Sequence, residues 1–203
     1  CMCINPCCSS ALTSSRLIPR RPAIASSMCS CANFNAPCSP RFVSYLMLRT
    51  EALSGRYDRE DLLLFRRWID AYIPSWAACD TFCNHTVGDF IDRYPECTRE
   101  LKAWTQSENR WMRRAAAVSL IVPARRGKFL DEALEIAALL LTDTDDMVQK
   151  GYGWLLKEAS RKHPEEVFEF IMENKKAMPR TALRYAIEKL PKELRTEAMK
   201  KDW

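Results

Sequence analysis

The sequence predicts an all-α protein, an α-α superhelix of the HEAT-like or armadillo type built from antiparallel helix pairs. Three observations carry that expectation. Only five glycines occur in 203 residues, too few for strands and tight turns, which depend on residues that tolerate positive φ. Beyond residue 42 the chain is filled with runs rich in Ala, Leu, Glu, Lys and Arg, the residues with the best helix propensities. Apolar positions in those runs recur at i, i+3, i+4 and i+7, and prolines or small polar residues separate one run from the next.

Taken in order, Leu62, Phe65, Ile69 and Tyr72 mark a first amphipathic helix before the break at Pro74 and Ser75. A second helix is expected over 76–94. Pro95 sits where a helix restarts, since proline in a first turn gives up only an N–H that has no partner there. Ser107, Glu108 and Asn109 read as a cap before a helix over 111–121, which Pro123 is expected to end. An amphipathic run follows over 129–141, and Thr142 to Asp145 cap a helix over 147–162. His163-Pro164-Glu165-Glu166 opens a helix over 167–174, and Pro179 and Pro191 introduce two short closing helices. Aromatic segments that also carry charge recur about every forty residues, near Trp76, Trp111 and Trp154, a period in the HEAT and armadillo range. No residue-by-residue repeat accompanies them, so on spacing alone a plain helical bundle stays open.

Hydrophobic residues make up 47% of the chain and charged residues 28%, the balance of a soluble folded protein with core enough to need no disulfides. No apolar run approaches the roughly 18 residues that cross a bilayer, so no membrane partner is expected. The formal net charge of +5 is uneven: residues 1–50 hold Arg16, Arg20, Arg21, Arg41 and Arg49 without one Asp or Glu, and the remainder is balanced. Affinity for nucleic acid in the folded part would therefore come from a local basic face.

Residues 1–41 are expected to be a disordered tail and residues 42–203 the helical repeat domain. Cys1, Cys3, Cys7, Cys8, Cys29, Cys31 and Cys38 crowd the tail among Ser, Pro and Ala. A transit peptide, a Cys-rich metal-binding stretch and translated sequence foreign to the domain are its three readings. The body holds only Cys79, Cys83 and Cys97, which suits a reducing, intracellular setting better than a disulfide scaffold. With His85 they make an irregular spacing for zinc, and no metal or organic cofactor is expected.

Three segments concentrate chemistry: Trp76-Ala77-Ala78-Cys79-Asp80, Trp111-Met112-Arg113-Arg114 and Lys150-Gly151-Tyr152-Gly153-Trp154-Leu155-Leu156-Lys157. Each sets an aromatic and a charge three or four residues apart, hence on one helical face. In a stack of helix pairs those faces would line one groove. Each piece alone has an ordinary reading, because a helical tryptophan is usually core, a lone aspartate is usually solvated and an Arg-Arg pair is usually salt-bridged.

Together and in this order the segments resemble the DNA alkylation repair family, the AlkD-like DNA glycosylases. That family's pattern holds a Trp-x-x-x-Asp helix, a Trp-x-Arg-Arg helix and a Gly-Trp-x-x-(Arg/Lys) helix. The likeness extends to Lys150 and to His163-Pro164-Glu165-Glu166-Val167, over roughly residues 56–190. It implies a monomer that hydrolyses the N-glycosidic bond of N3- or N7-alkylated, cationic purines in double-stranded DNA. As such a base leaves, the sugar becomes oxocarbenium-like, so a fixed carboxylate beside it is most stabilising in the transition state. The resemblance puts Asp80 there as the catalytic residue. Trp76, Trp154 and Trp111 become substrate-binding aromatics whose π faces attract cations, worth about 0.5–2 kcal/mol each. Arg113, Arg114, Lys157, Arg125 and Arg126 become phosphate contacts. The rival expectation is a non-catalytic HEAT-like scaffold that binds DNA or protein. Departures from the pattern are Ala77 in place of an acid, the lack of clear family N-terminal helices in residues 1–45, and a later basic position that only Arg125 or Arg126 can fill.

Overall fold

The computed structural model describes residues 57–200; the expected tail and the first part of the expected helical domain lie outside the described residues. The described residues form helices and turns with no strand among them. In chain order they are α1 (Asp61–Tyr72), α2 (Trp76–Phe82), a π-turn (Cys83–Val87), α3 (Gly88–Arg93), a 3-10 turn (Pro95–Cys97), α4 (Thr98–Trp104) and α5 (Arg110–Val118). Then come α6 (Ile121–Arg125), α7 (Leu130–Leu139), α8 (Asp146–Ala159), α9 (Pro164–Asn174), α10 (Arg180–Ala186), a 3-10 turn (Ile187–Lys189) and α11 (Lys192–Met199).

The starts follow the capping chemistry of the sequence. Ser75 Oγ accepts from the Ala78 N–H at 3.4 Å, Asn109 Oδ1 from the Trp111 N–H at 2.9 Å and Asp145 Oδ1 from the Met147 N–H at 2.8 Å. Each satisfies one of the N–H groups that a helix start leaves without an internal partner. Pro164 occupies the first turn of α9, and Pro179 and Pro191 directly precede α10 and α11.

Two expectations are corrected. The segment 76–94 is not one regular helix, because the π-turn Cys83–Val87 interrupts it. The apolar residues Cys79, Phe82 and Cys83 face the core, as do Val87, Phe90 and Ile91. At 3.6 residues per turn the second set would be rotated by roughly a quarter turn from the first. The one extra residue of the wide turn takes that rotation back. Pro123 does not end the helix expected over 111–121 either. That helix stops at Val118, and Pro123 is the third residue of α6, in a first turn where its missing N–H costs no bond.

Helices α2, α5, α8 and α10 form a row in which each packs on the next, while α4 packs on α7 and α9 on α11. Around Phe65 the rings of Tyr57, Phe82 and Phe90 meet it edge-on with centroids 5.1, 5.7 and 5.3 Å away. Between its neighbours α5 buries Ala115, Ala116, Ala117 and Val118 completely, small side chains that let helices close in on both flanks. Where α8 meets α10, a Cβ on Gly153 would lie 2.8 Å from the Ala182 carbonyl and 2.8 Å from Tyr185 Cβ, so this contact requires glycine. The row is what positions the site, since the Trp-Asp, Trp-Arg and Gly-Trp segments fall on α2, α5 and α8.

Candidate functional site

The centre of the row is an ion pair. Arg114 of α5 donates from Nε to Asp80 Oδ1 and from Nη2 to Asp80 Oδ2, both at 2.8 Å, in a bidentate fork. Its Nη1 donates to the Met147 carbonyl in the first turn of α8. One guanidinium therefore ties α2, α5 and α8 together. The side chains are 6% exposed for Arg114 and 13% for Asp80, so the carboxylate is largely covered and still reaches the surface. Gly151 makes room for this arrangement, because a Cβ there would lie 3.3 Å from Arg114 Cγ and 3.4 Å from Nη1.

The three tryptophans sit differently. Trp76, one turn before Asp80 on α2, is 56% exposed, a large apolar surface that the fold leaves uncovered. Trp111 is half-buried against the core, with the Arg110 guanidinium 4.6 Å from its ring centroid and Cys79 Sγ donating to its carbonyl at 3.6 Å. Trp154 is also half-buried and packed against the core.

Each basic residue that the resemblance assigned to DNA meets a carboxylate. Arg113 Nε donates to Asp143 Oδ2 at 2.6 Å, and its Nη1 donates to the carbonyls of Ser107 and Glu108 at 2.9 Å, which holds the turn before α5 against the start of α8. Lys157 Nζ lies 2.7 Å from Glu188 Oε2, and Arg126 Nη1 lies 3.4 Å from Asp92 Oδ2. Arg125 and Arg161 donate to the same Glu158 oxygen at 2.7 and 2.6 Å. Burial alone pushes the Glu158 carboxyl up, but the hydrogen bonds from Arg161 and Arg125 together outweigh it and hold it below the usual glutamate range.

Sequence reasoning missed Tyr185. It stands on α10, 38% exposed, with its Cβ against Gly153. The signal was present in Gly153 of α8, since glycine inside a helix is unfavourable by about 1 kcal/mol and can mark a close approach of another element. Lys150 shares this region: its ammonium donates to Asp146 Oδ2 at 2.5 Å and is held above the usual lysine range by that bond, with a smaller contribution from the Tyr185 phenol.

The thiols face inward. Cys79 and Cys83 are fully buried with Sγ atoms 4.0 Å apart, and burial first, then Cys79, pushes the Cys83 thiol well up. Among the described residues no three His, Cys, Asp or Glu side chains converge as a metal site would require. No helix among them is long and apolar enough to cross a membrane.

Comparison with known families then gives a match of residues 40–190 to the model described as DNA alkylation repair enzyme. Among solved structures, one described as a predicted DNA alkylation repair enzyme from Enterococcus faecalis aligns with a TM-score of 0.66 at 19% identity, covering 75% of this chain and 69% of that one. At that identity the likeness speaks for the fold. A comparison with curated proteins returns no match.

Proposed function

Because the chain belongs to the DNA alkylation repair enzyme family, we propose that it hydrolyses the N-glycosidic bond of N3- or N7-alkylated purines in double-stranded DNA, with Asp80 as the catalytic carboxylate. The observation that carries this reading is the Asp80 carboxylate, fixed through both oxygens by Arg114 at the edge of the surface one turn from exposed Trp76.

An alkylated purine of this kind is cationic and departs neutral, so the electron pair of the broken bond goes to the base and no proton has to be delivered to it. The positive charge passes to the sugar. A water oxygen then bonds to C1′, and its proton passes to Asp80 or to solvent. A carboxylate oriented before the reaction spends no free energy on reorganisation while that charge develops. Each carboxylate oxygen has a second acceptor site beyond the one Arg114 uses, free to take a water or to face the sugar. Arg114, in direct contact with both oxygens, offsets the Asp80 charge as felt from afar, so Asp80 acts on the sugar at contact range. Trp76 offers an open π face to the cationic base. In this reading Arg114 is a positioning residue for Asp80.

A second reading rests on the same pair, since a nearly buried bridge is also what a scaffold would use to set helix against helix. Release of 7-methylguanine and 3-methyladenine from methylated duplex DNA separates the two. The enzyme reading expects release by the protein and a loss of about 10²–10³-fold in Asp80→Asn, with duplex binding kept and folding checked by circular dichroism. No release by the folded wild-type protein selects the scaffold.

A further inference from the structure

Five cations that the family resemblance assigned to phosphates are engaged by carboxylates, four of which are themselves largely covered: Asp80 is 13% exposed, Asp143 8%, Glu158 3% and Asp92 21%. Freeing those cations for DNA would strand buried or half-buried negative charge. Lys157 meets a more open partner in Glu188, but its own side chain is only 17% exposed. Lys150 is different. Its partner Asp146 lies one turn back on the same helix and is 54% exposed, the weakest class of ion pair and the easiest to exchange for a phosphate.

Tyr185 stands on the facing helix. Its root is fixed by the close packing of α10 on Gly153, the residue is 38% exposed, and among the described residues its hydroxyl makes no hydrogen bond. Lys150 directly precedes Gly151, which packs against Arg114, and lies one turn before Gly153, which packs against Tyr185, so this stretch of α8 runs past both residues. An ammonium with three donors and a phenol with one, both uncommitted to the core and on the helix pair that packs against the arginine holding Asp80, match the oxygens of a DNA phosphate.

We propose that Lys150 and Tyr185 form a phosphate subsite across the seam between α8 and α10, holding the strand whose sugar lies against Asp80. The subsite rests on the reading of this face as a DNA site, and its test is independent of catalysis. Binding of an unmodified duplex oligonucleotide is followed by fluorescence anisotropy over a range of salt concentrations for the wild type, Lys150→Gln and Tyr185→Phe, with folding checked by thermal melting. Lys150→Gln should flatten the slope of log K against log salt by about 0.9, the value of one phosphate contact. Tyr185→Phe should weaken binding by about 3–10-fold, the value of one hydrogen bond, with the slope unchanged. An unchanged slope in folded Lys150→Gln, or no duplex binding by the wild type, overturns the subsite. Binding with the expected slopes but no base release overturns only the catalytic reading.

Discussion

Replacing Arg114 by lysine keeps the charge and removes the fork. The guanidinium makes three hydrogen bonds, two to Asp80 and one to the Met147 carbonyl. A compact ammonium on a flexible stem can meet Asp80 at one point but cannot also span to α8, so about two of the three bonds are lost. Hydrogen bonds to charged groups are worth about 1.5–3 kcal/mol each. Partial rehydration of Asp80, whose side chain is 13% exposed, brings the expected loss to the low end, about 2–4 kcal/mol. For a domain of this size that corresponds to a fall in Tm of roughly 5–15 °C, readable by circular dichroism at neutral pH. Base release should fall as well, because the carboxylate loses its fixed orientation. A melting point within a degree of wild type together with full base release would refute the argument that this guanidinium holds the three helices and the carboxylate in place.

Two further perturbations probe the frame. Gly153→Ala should destabilise by about 1–3 kcal/mol in urea titrations, because the new Cβ would meet the Ala182 carbonyl and Tyr185 Cβ at 2.8 Å and backbone cannot give way as a flexible side chain can; an unchanged midpoint would mean that α8 and α10 are not in such close contact. Glu158 has a folded-state pKa below its unfolded value, so its contribution is present above about pH 4.3, the unfolded glutamate value, and is lost as pH falls through the folded pKa. Glu158→Gln should therefore be less stable than wild type at pH 7, by about 1–3 kcal/mol, with the gap closing toward pH 3; a gap independent of pH would contradict the ion-pair assignment.

Much of the fold was legible because helix starts are written locally. Ser75, Asn109 and Asp145 announce their helices through short-range hydrogen bonds, and Pro95, Pro164, Pro179 and Pro191 stand where first turns or their flanks accept them. The π-turn was not legible as such, because its cause is the need to keep two apolar sets on one core, which a running period does not register. Pro123 misled for a related reason, since proline marks a break in a helix without telling on which side of it the next helix begins.

At the site, the residue types on α2, α5 and α8 were readable, and the row of helices brings Asp80 and Arg114 together across 34 residues of sequence. The partners of the cations were not readable. Arg113 with Asp143, Arg125 with Glu158 and Arg126 with Asp92 are all joined across about thirty residues or more, a separation set by how the helix pairs stack. Tyr185 became visible only when Gly153 was seen to admit α10.

Single-turnover release of methylated purines from duplex DNA by the wild type and Asp80→Asn, with duplex affinity measured in the same buffer, decides whether Asp80 is the carboxylate of a glycosylase. Release by the wild type, a fall of about 10²–10³-fold in the variant and affinity little changed are the expected results. Equal release by both proteins, or none by a folded wild type that binds DNA, would contradict that role.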